Sequence, residues 1–237
     1  MKKFSIDNII GHAWALFKKN WRTLFLVMIV TFLIGRLINI VIFGLEFPYQ
    51  VWDESINKYV LGDTPMFITI LTSILTILSY IFTAWFMVTE QKIYLKVVDH
   101  KEIFVKDLFT KFDKNSLWYL ATAWAYGLIV MVGLVFLIVP GIYFGLKYYF
   151  APILVLDKKL SFGDAFSESA KMTDGIKWDL FGYSITMILL AVGSFAAGLL
   201  CLVVGVIPAV MAFAATAWIS QVYLYRQVLS HESSSQG

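Results

Sequence analysis

From Met66 to Val88 the chain carries no charged side chain. A helix over that run rises ~1.5 Å per residue and so matches the ~30 Å hydrocarbon core of a bilayer. Inside a bilayer every backbone N–H and C=O must find a partner within the segment, which a helix provides. Pro65 behind Thr64 suits a helix start, since its missing N–H is one the first turn leaves unpaired. Five more runs follow the same logic. Thr23–Phe43 holds one charge, Arg36, among fifteen Leu, Ile, Val and Phe positions. Their summed insertion energy, roughly −0.3 to −0.6 kcal/mol each, outweighs the ~+2.5–3.5 of a central Arg. Leu117–Val139 is predicted to stop at the helix-breaking Pro140-Gly141. Ile142–Leu156 reaches only roughly 22 Å as a helix, which fits a short span or a re-entrant segment. The stretch after Trp178 divides at Gly205 and Pro208 into spans near Leu180–Val203 and Ile207–Val228.

Composition agrees. Hydrophobic residues make up 59% and charged residues 15%, against ~45–50% and ~25% in soluble domains. A soluble chain of this length has too much surface to hide that apolar excess. The single Cys201 allows no intrachain disulfide and no thiolate metal site. A net charge of +3 gives no reason to expect nucleic acid.

Where the charge sits is more informative. Basic residues precede span one, separate spans two from three and four from five, and close span six at Arg226; together these are sixteen of the nineteen. The loop Leu45–Pro65 has one Lys58 beside Glu46, Asp53, Glu54 and Asp63. By the positive-inside rule the termini are cytoplasmic, as an even span count requires. Lys2-Lys3 resembles the start of a signal peptide, but Asp7, Asn8 and His12 interrupt the apolar region. Span one is therefore expected to act as its own insertion signal. The tail, residues 230–237 (SHESSSQG), reads as disordered.

Each odd-numbered span has a similar approach. Phe4 to Trp21, Ile103 to Phe112 and Leu160 to Met172 place apolar residues at helical spacing. Polar breaks come near the end of the first, at Lys18-Lys19-Asn20, and after the other two, at Lys114-Asn115-Ser116 and Asp174-Gly175. Such segments suit amphipathic helices in the headgroup plane, with Lys at anionic lipid and Trp at the interface. The expected fold is all-α: a polytopic transmembrane bundle of about six spans as three hairpins, with in-plane helices on the cytoplasmic face. It reads as one membrane domain over 1–229, in which 1–98 form the first hairpin unit and 99–229 the other two. Gly193, Ala197, Cys201 and Gly205 recur every fourth residue, a helix-packing stripe, and Ala212, Thr216 and Ser220 repeat it on span six.

No catalytic constellation appears. Acids fall in loops or at span edges, and His12, His100 and His231 lack ligand spacing. No metal, cofactor or catalytic residue is expected. Two charges lie within spans, Arg36 and Lys147, each roughly 10 Å from the outer end of its helix. One reading has both side chains snorkelling to the outer headgroups. The other has Arg36 and Lys147 converging on a lipid phosphate, with Asn39, one turn from Arg36, adding a donor.

The run Leu137-Ile138-Val139-Pro140-Gly141-Ile142-Tyr143-Phe144-Gly145-Leu146-Lys147-Tyr148-Tyr149-Phe150-Ala151-Pro152 carries a family likeness. So do Ala165-Phe166-Ser167-Glu168-Ser169, Thr173-Asp174-Gly175, Lys177-Trp178 and Leu180-Phe181. This text resembles the membrane domain associated with bacterial glycerophosphodiester phosphodiesterases and its stand-alone YciC-like relatives, over roughly Asp99 to Leu229. Ala15-Leu16-Phe17-Lys18-Lys19-Asn20 matches more loosely, and Lys147 stands where relatives often carry Arg. The resemblance implies an all-helical protein of the prokaryotic cytoplasmic membrane. It implies no phosphodiesterase activity, because the residues that carry it belong to the membrane domain and not to a catalytic one. The expected function is a non-enzymatic envelope protein whose partners are membrane lipids, other membrane proteins or a second copy of itself; the alternative is a small permease or lipid-handling transporter.

Overall fold

The computed structural model describes residues 4–55, 57–200 and 206–235. It is helical apart from one small hairpin, and six of its helices are long and apolar enough to cross a membrane. The elements are α1 (Ile6–Glu46), β1 (Gln50–Asp53), β2 (Lys58–Leu61), α2 (Met66–Val98), α3 (Lys114–Phe136), α4 (Ile138–Lys147), α5 (Ala151–Asp157), α6 (Phe162–Met172), α7 (Lys177–Leu200) and α8 (Val206–Ser235). They form two compact units, one of Met1–Phe25 with Val88–Gly237 and one of Leu26–Met87.

The smaller unit contains the hairpin. β1 and β2 pair antiparallel with Trp52 opposite Tyr59, their rings edge-on at 5.0 Å. Asp53 stabilises the turn by accepting from the Ser55 N–H and hydroxyl at 2.9 and 2.6 Å. The expected outer loop is thus partly a strand pair, built on aromatic and β-branched residues that suit a pleated surface.

In the larger unit α3 packs against α4 and α5, α7 against α8, and α6 against α5, α3 and α8. Burial is concentrated towards one end. Ser116, Tyr119 and Thr122 of α3, Phe150, Ala151, Leu154 and Val155 around α5, Leu180 and Tyr183 of α7, and Ala215, Ile219, Val222 and Tyr225 of α8 provide its buried positions. Tyr183 and Ser220 join α7 to α8 by a 2.6 Å hydroxyl hydrogen bond. At the other end Val135, Phe136 and Leu137 are 77%, 79% and 66% exposed. Ile188, Leu189 and Val192 on α7 and Ile207 on α8 are exposed as well. Apolar surface on that scale belongs in lipid.

The corner between α3 and α4 is tighter than the sequence predicts. Leu137 alone is extended, at φ −158°, ψ 129°, and Pro140-Gly141 lie inside the first turn of α4. The proline ring would clash with the carbonyl of Phe136, four residues back, so the helix breaks before Pro140 rather than at it. The first turn tolerates the missing N–H. Gly141 then rests against α3: a Cβ on Gly133 would stand 2.7 Å from Gly141 Cα, and one on Gly141 2.5 Å from the Leu134 nitrogen. The fourth apolar segment extends over Ile138–Asp157, with α4 and α5 joined through Tyr148–Phe150.

Two expected helix ends are absent. α1 continues through Lys18-Lys19-Asn20, where Asn20 Nδ2 donates to the Leu16 carbonyl at 3.0 Å within the helix. α8 continues to Ser235 over residues expected to be disordered, there being no proline or glycine before Gly237 to stop it. α6 also differs from a helix that lies on lipid by its apolar face: Ala165, Ser169 and Met172 are buried within the protein.

The start of α3 is strongly capped. Asp113 accepts from the Ser116 N–H at 3.0 Å, the Ser116 hydroxyl at 2.5 Å and Lys92 Nζ at 3.2 Å. Chiefly through the Ser116 hydroxyl, with Lys92 and the backbone N–H also outweighing desolvation, its carboxyl is lowered to about 2. The ordinary value is ~3.9, so this stabilisation is complete above pH ~4 and lost as pH falls through about 2. Thermal melts of detergent-solubilised protein should therefore fall between pH 4 and 2 more in wild type than in Asp113→Ala. At neutral pH that variant should lose ~1 kcal/mol, the usual value of a cap.

The corner gives a second expectation. Gly141→Ala must move backbone rather than a side-chain tip and should cost ~1–3 kcal/mol. Gly163→Ala on α6, where an added Cβ meets nothing within 4 Å, should be neutral or gain up to ~1 kcal/mol. Equal thermal midpoints for the two variants would contradict the close approach.

Candidate functional site

Two polar constructions stand out in the larger unit. In the first, Arg226 projects from α8 between two carboxylates. Its Nη1 and Nη2 donate to Asp157 Oδ2 and Oδ1 at 2.6 and 2.7 Å, while Nε and Nη2 donate to Asp99 Oδ1 and Oδ2 at 3.0 and 3.1 Å. Tyr225 donates its hydroxyl to Asp157 Oδ2 at 2.6 Å, and Lys101 pairs with Asp99 at 3.2 Å. Asp99 directly follows α2, Asp157 ends α5 and Arg226 lies in α8. One planar guanidinium thus joins the ends of the second, fourth and sixth apolar helices by two bidentate pairs, which a lysine cannot reproduce. Chemically this is a clamp: the fork and both carboxylates are occupied by each other.

The second construction is the junction of α4 with α6. The carbonyl of Lys147, at the end of α4, accepts from the Ser169 hydroxyl at 3.2 Å and the Thr173 hydroxyl at 3.0 Å. The Phe150 N–H donates to Ser169 Oγ at 3.2 Å. These bonds satisfy the end of α4 and fix it on α6. Beside them opens a cavity of about 460 Å³ lined by Lys147 and Tyr148 from one side and by Phe166, Ser167, Ala170 and Lys171 of α6 from the other. Phe144, Tyr148 and Phe166 form a ring ladder along it, at 6.1 and 5.1 Å. Lys147 Nζ lies 5.4 Å from the Tyr148 ring centre, and Lys177 Nζ 5.6 Å from that of Tyr143. No protein family, curated protein or solved structure matches the chain.

Of the three residues expected to share a phosphate, Arg36 and Asn39 belong to the smaller unit and Lys147 to the larger. Arg36 is exposed with Cζ 5.1 Å from the ring centre of Phe32, one turn earlier, and Asn39 Nδ2 donates to the Gly35 carbonyl at 2.7 Å. Lys147 is ten residues from the Leu137 corner, ~15 Å along α4, and its carbonyl is bonded to the lysine-flanked α6. The expected depth was measured from Pro140-Gly141, and moving the break to Leu137 carries Lys147 towards the basic end. Of the packing stripe, Gly193 is exposed, and a Cβ there meets nothing within 4 Å. Ala197 lies within α7, while Cys201 and Gly205 lie outside the described residues. The stripe on α8 is better placed, with Thr216 and Ser220 buried.

His12 and His100 approach to 6.2 Å between ring centres, with His12 stacked on Tyr223 at 4.2 Å. Among the described residues, no three His, Cys, Asp or Glu gather as a metal site. Sequence reasoning missed the Arg226 clamp, although its members mark corresponding places: an acid after span two, an acid after span four and an arginine at the end of span six.

Breaking the clamp leaves two half-buried carboxylates facing each other. Arg226→Met should cost ~3 kcal/mol, near the lower figure for breaking a buried pair because the cluster is partly wet. Arg226→Lys should rescue only a minor part. Asp99→Asn with Asp157→Asn in the Arg226→Met background should recover more, as read from thermal midpoints in detergent.

Proposed function

We propose that the protein is a non-enzymatic, multi-pass protein of the cell membrane that interacts with lipids and partner membrane proteins. Its helices are read as three hairpins with both termini cytoplasmic, and as a member of the membrane-domain family it resembles. The observation that carries this reading is the division of the larger unit into a buried polar end and an uncovered apolar end. The apolar end, around Leu137, exposes side chains of a kind that gain by facing acyl chains. The polar end holds the Arg226 clamp, which fits a topology in which spans two, four and six finish on one face. Lys92, Lys96, Lys158 and Lys177 are at the same kind of position, each paired with a carboxylate. A basic face of this sort suits the anionic inner leaflet.

Four of the acids serve the fold. Asp99 and Asp157 are held by Arg226, Asp113 by Ser116 and Lys92, and Asp107 by Lys96 and the Phe104 N–H. Burial alone would raise the Asp107 carboxyl, yet those bonds and the nearby lysines bring it below its ordinary range. Carboxylates so engaged already have acceptor sites occupied by the protein itself.

Reconstitution tests the reading. Wild-type protein in vesicles should retain bound phospholipid after gentle extraction and produce no flux of small polar solutes or lipid above protein-free vesicles. A saturable, protein-dependent flux would instead establish the permease alternative. Reporters fused to each terminus should both sit in the cytoplasm, and opposite sides would refute the three-hairpin topology.

A further inference from the structure

We propose that the cavity between the end of α4 and α6 binds the phosphate-bearing headgroup of an anionic membrane lipid, with Lys147 and Lys171 as its cations. This rests on the lipid-interacting reading above and gives it a place and a ligand chemistry. The cleft, about 460 Å³, is open on one side, as a place that takes a headgroup and leaves the acyl chains outside has to be.

The lining suits a phosphate ester. Lys147 and Lys171 come from different helices and open on the same space. Among the described residues Lys147 forms no ion pair, and its ammonium rests by the Tyr148 ring. Lys171 has only a loose contact, 3.9 Å from Glu168, whose shorter partner is Lys158 at 3.2 Å. The acid lining the cavity, Asp174, is engaged at 2.8 Å by Lys177. The balance available to a ligand is therefore cationic. Ser167 lies one turn before Lys171 and offers a hydroxyl donor, and the small Ala170 leaves the room that a larger side chain would fill.

The surroundings favour a lipid over a free phosphate. Phe162, Phe166, Tyr148 and Phe144 continue the wall in ring contact, and Tyr143 and Phe162 are exposed. An aromatic surface beside lysines is the pattern of a headgroup boundary, with acyl chains on one side and phosphate on the other. Ser169 and Thr173 donate to the Lys147 carbonyl and so tie the backbone that carries this lysine to α6, which limits the freedom that the site has to lose on binding.

Native mass spectrometry of the full chain tests this, with dioleoyl phosphatidic acid, dioleoyl phosphatidylcholine or inorganic phosphate added to delipidated protein. Wild type should retain phosphatidic acid selectively. Lys147→Gln and Lys171→Gln should each weaken retention on the order of tenfold, as loss of one charge-assisted contact does. Lys147→Arg and Lys171→Arg should keep it. Ala170→Leu, which leaves every charge in place but fills the cavity, should weaken it as much as a lysine loss. All variants should first match the wild-type thermal midpoint. Unchanged retention in Ala170→Leu and both Gln variants would overturn the site while leaving a lipid-interacting protein. Phosphatidylcholine held equally well would overturn the anionic selectivity, and displacement by inorganic phosphate would overturn the lipid as occupant. Wild type that retains no lipid in any arm would remove both the site and the broader reading.

Discussion

Arg226 holds together the end of this molecule where most of its buried side chains lie. Helices in lipid gain nothing from a hydrophobic force between them, so association must come from packing and from polar contacts. Here three segments distant in the chain meet through one side chain. Asp99 is 127 residues from Arg226 and Asp157 is 69 away. The geometry makes the contact specific: a rigid planar fork makes four N–H···O bonds to two carboxylates, and Tyr225 adds a fifth bond to Asp157. A shifted α8 would lose several of these bonds together. Around the clamp the helices are closely buried; towards the Leu137 corner they are open to lipid.

The α4 helix depends on that rigid end and on the corner at its start. Pro140 breaks the helix behind it, and Gly133 with Gly141 lets α3 and α4 approach at backbone distance. From there α4 runs only ten residues before Ser169 and Thr173 donate to its last carbonyl. A helix terminus inside a membrane protein must satisfy its carbonyls somewhere. These two hydroxyls do so while leaving the Lys147 side chain free to face the cavity. One polar solution thus ends the helix and holds the Lys147 backbone beside the cavity that its side chain lines.

The sequence made the membrane class legible because it follows from run length and charge, both local properties. The six apolar helices appear where the hydrophobic runs predict them. Junctions were less legible. Pro140-Gly141 signals a break, but the break falls three residues earlier, because proline forbids the bond to the carbonyl four positions back and tolerates its own place in a first turn. The strand pair at Val51 and Val60 was missed, since four-residue strands carry too little alternation to stand out in an aromatic loop. For the site, Lys147 was legible as an unusual charge in an apolar segment. Its neighbour Lys171 was not, because their association depends on how α4 ends on α6, and no spacing in the chain records that.

The altered position of Lys147 also changes what a charge in an apolar run means here. Counted from Pro140-Gly141, it resembles a residue stranded in the outer leaflet, where a lysine must snorkel or find a paired ligand. Counted from Leu137, it stands at the end of a short helix and shares a cavity with Lys171; of Lys147, Lys158, Lys171 and Lys177 it is the one with no carboxylate paired to it among the described residues. The others balance acids on α6 or in the turn after it. A cation that contributes nothing to a network of this kind is free to act outside it. Its aromatic flank and the cavity beside it make an anionic headgroup the natural counter-ion, supplied by the membrane rather than by the chain.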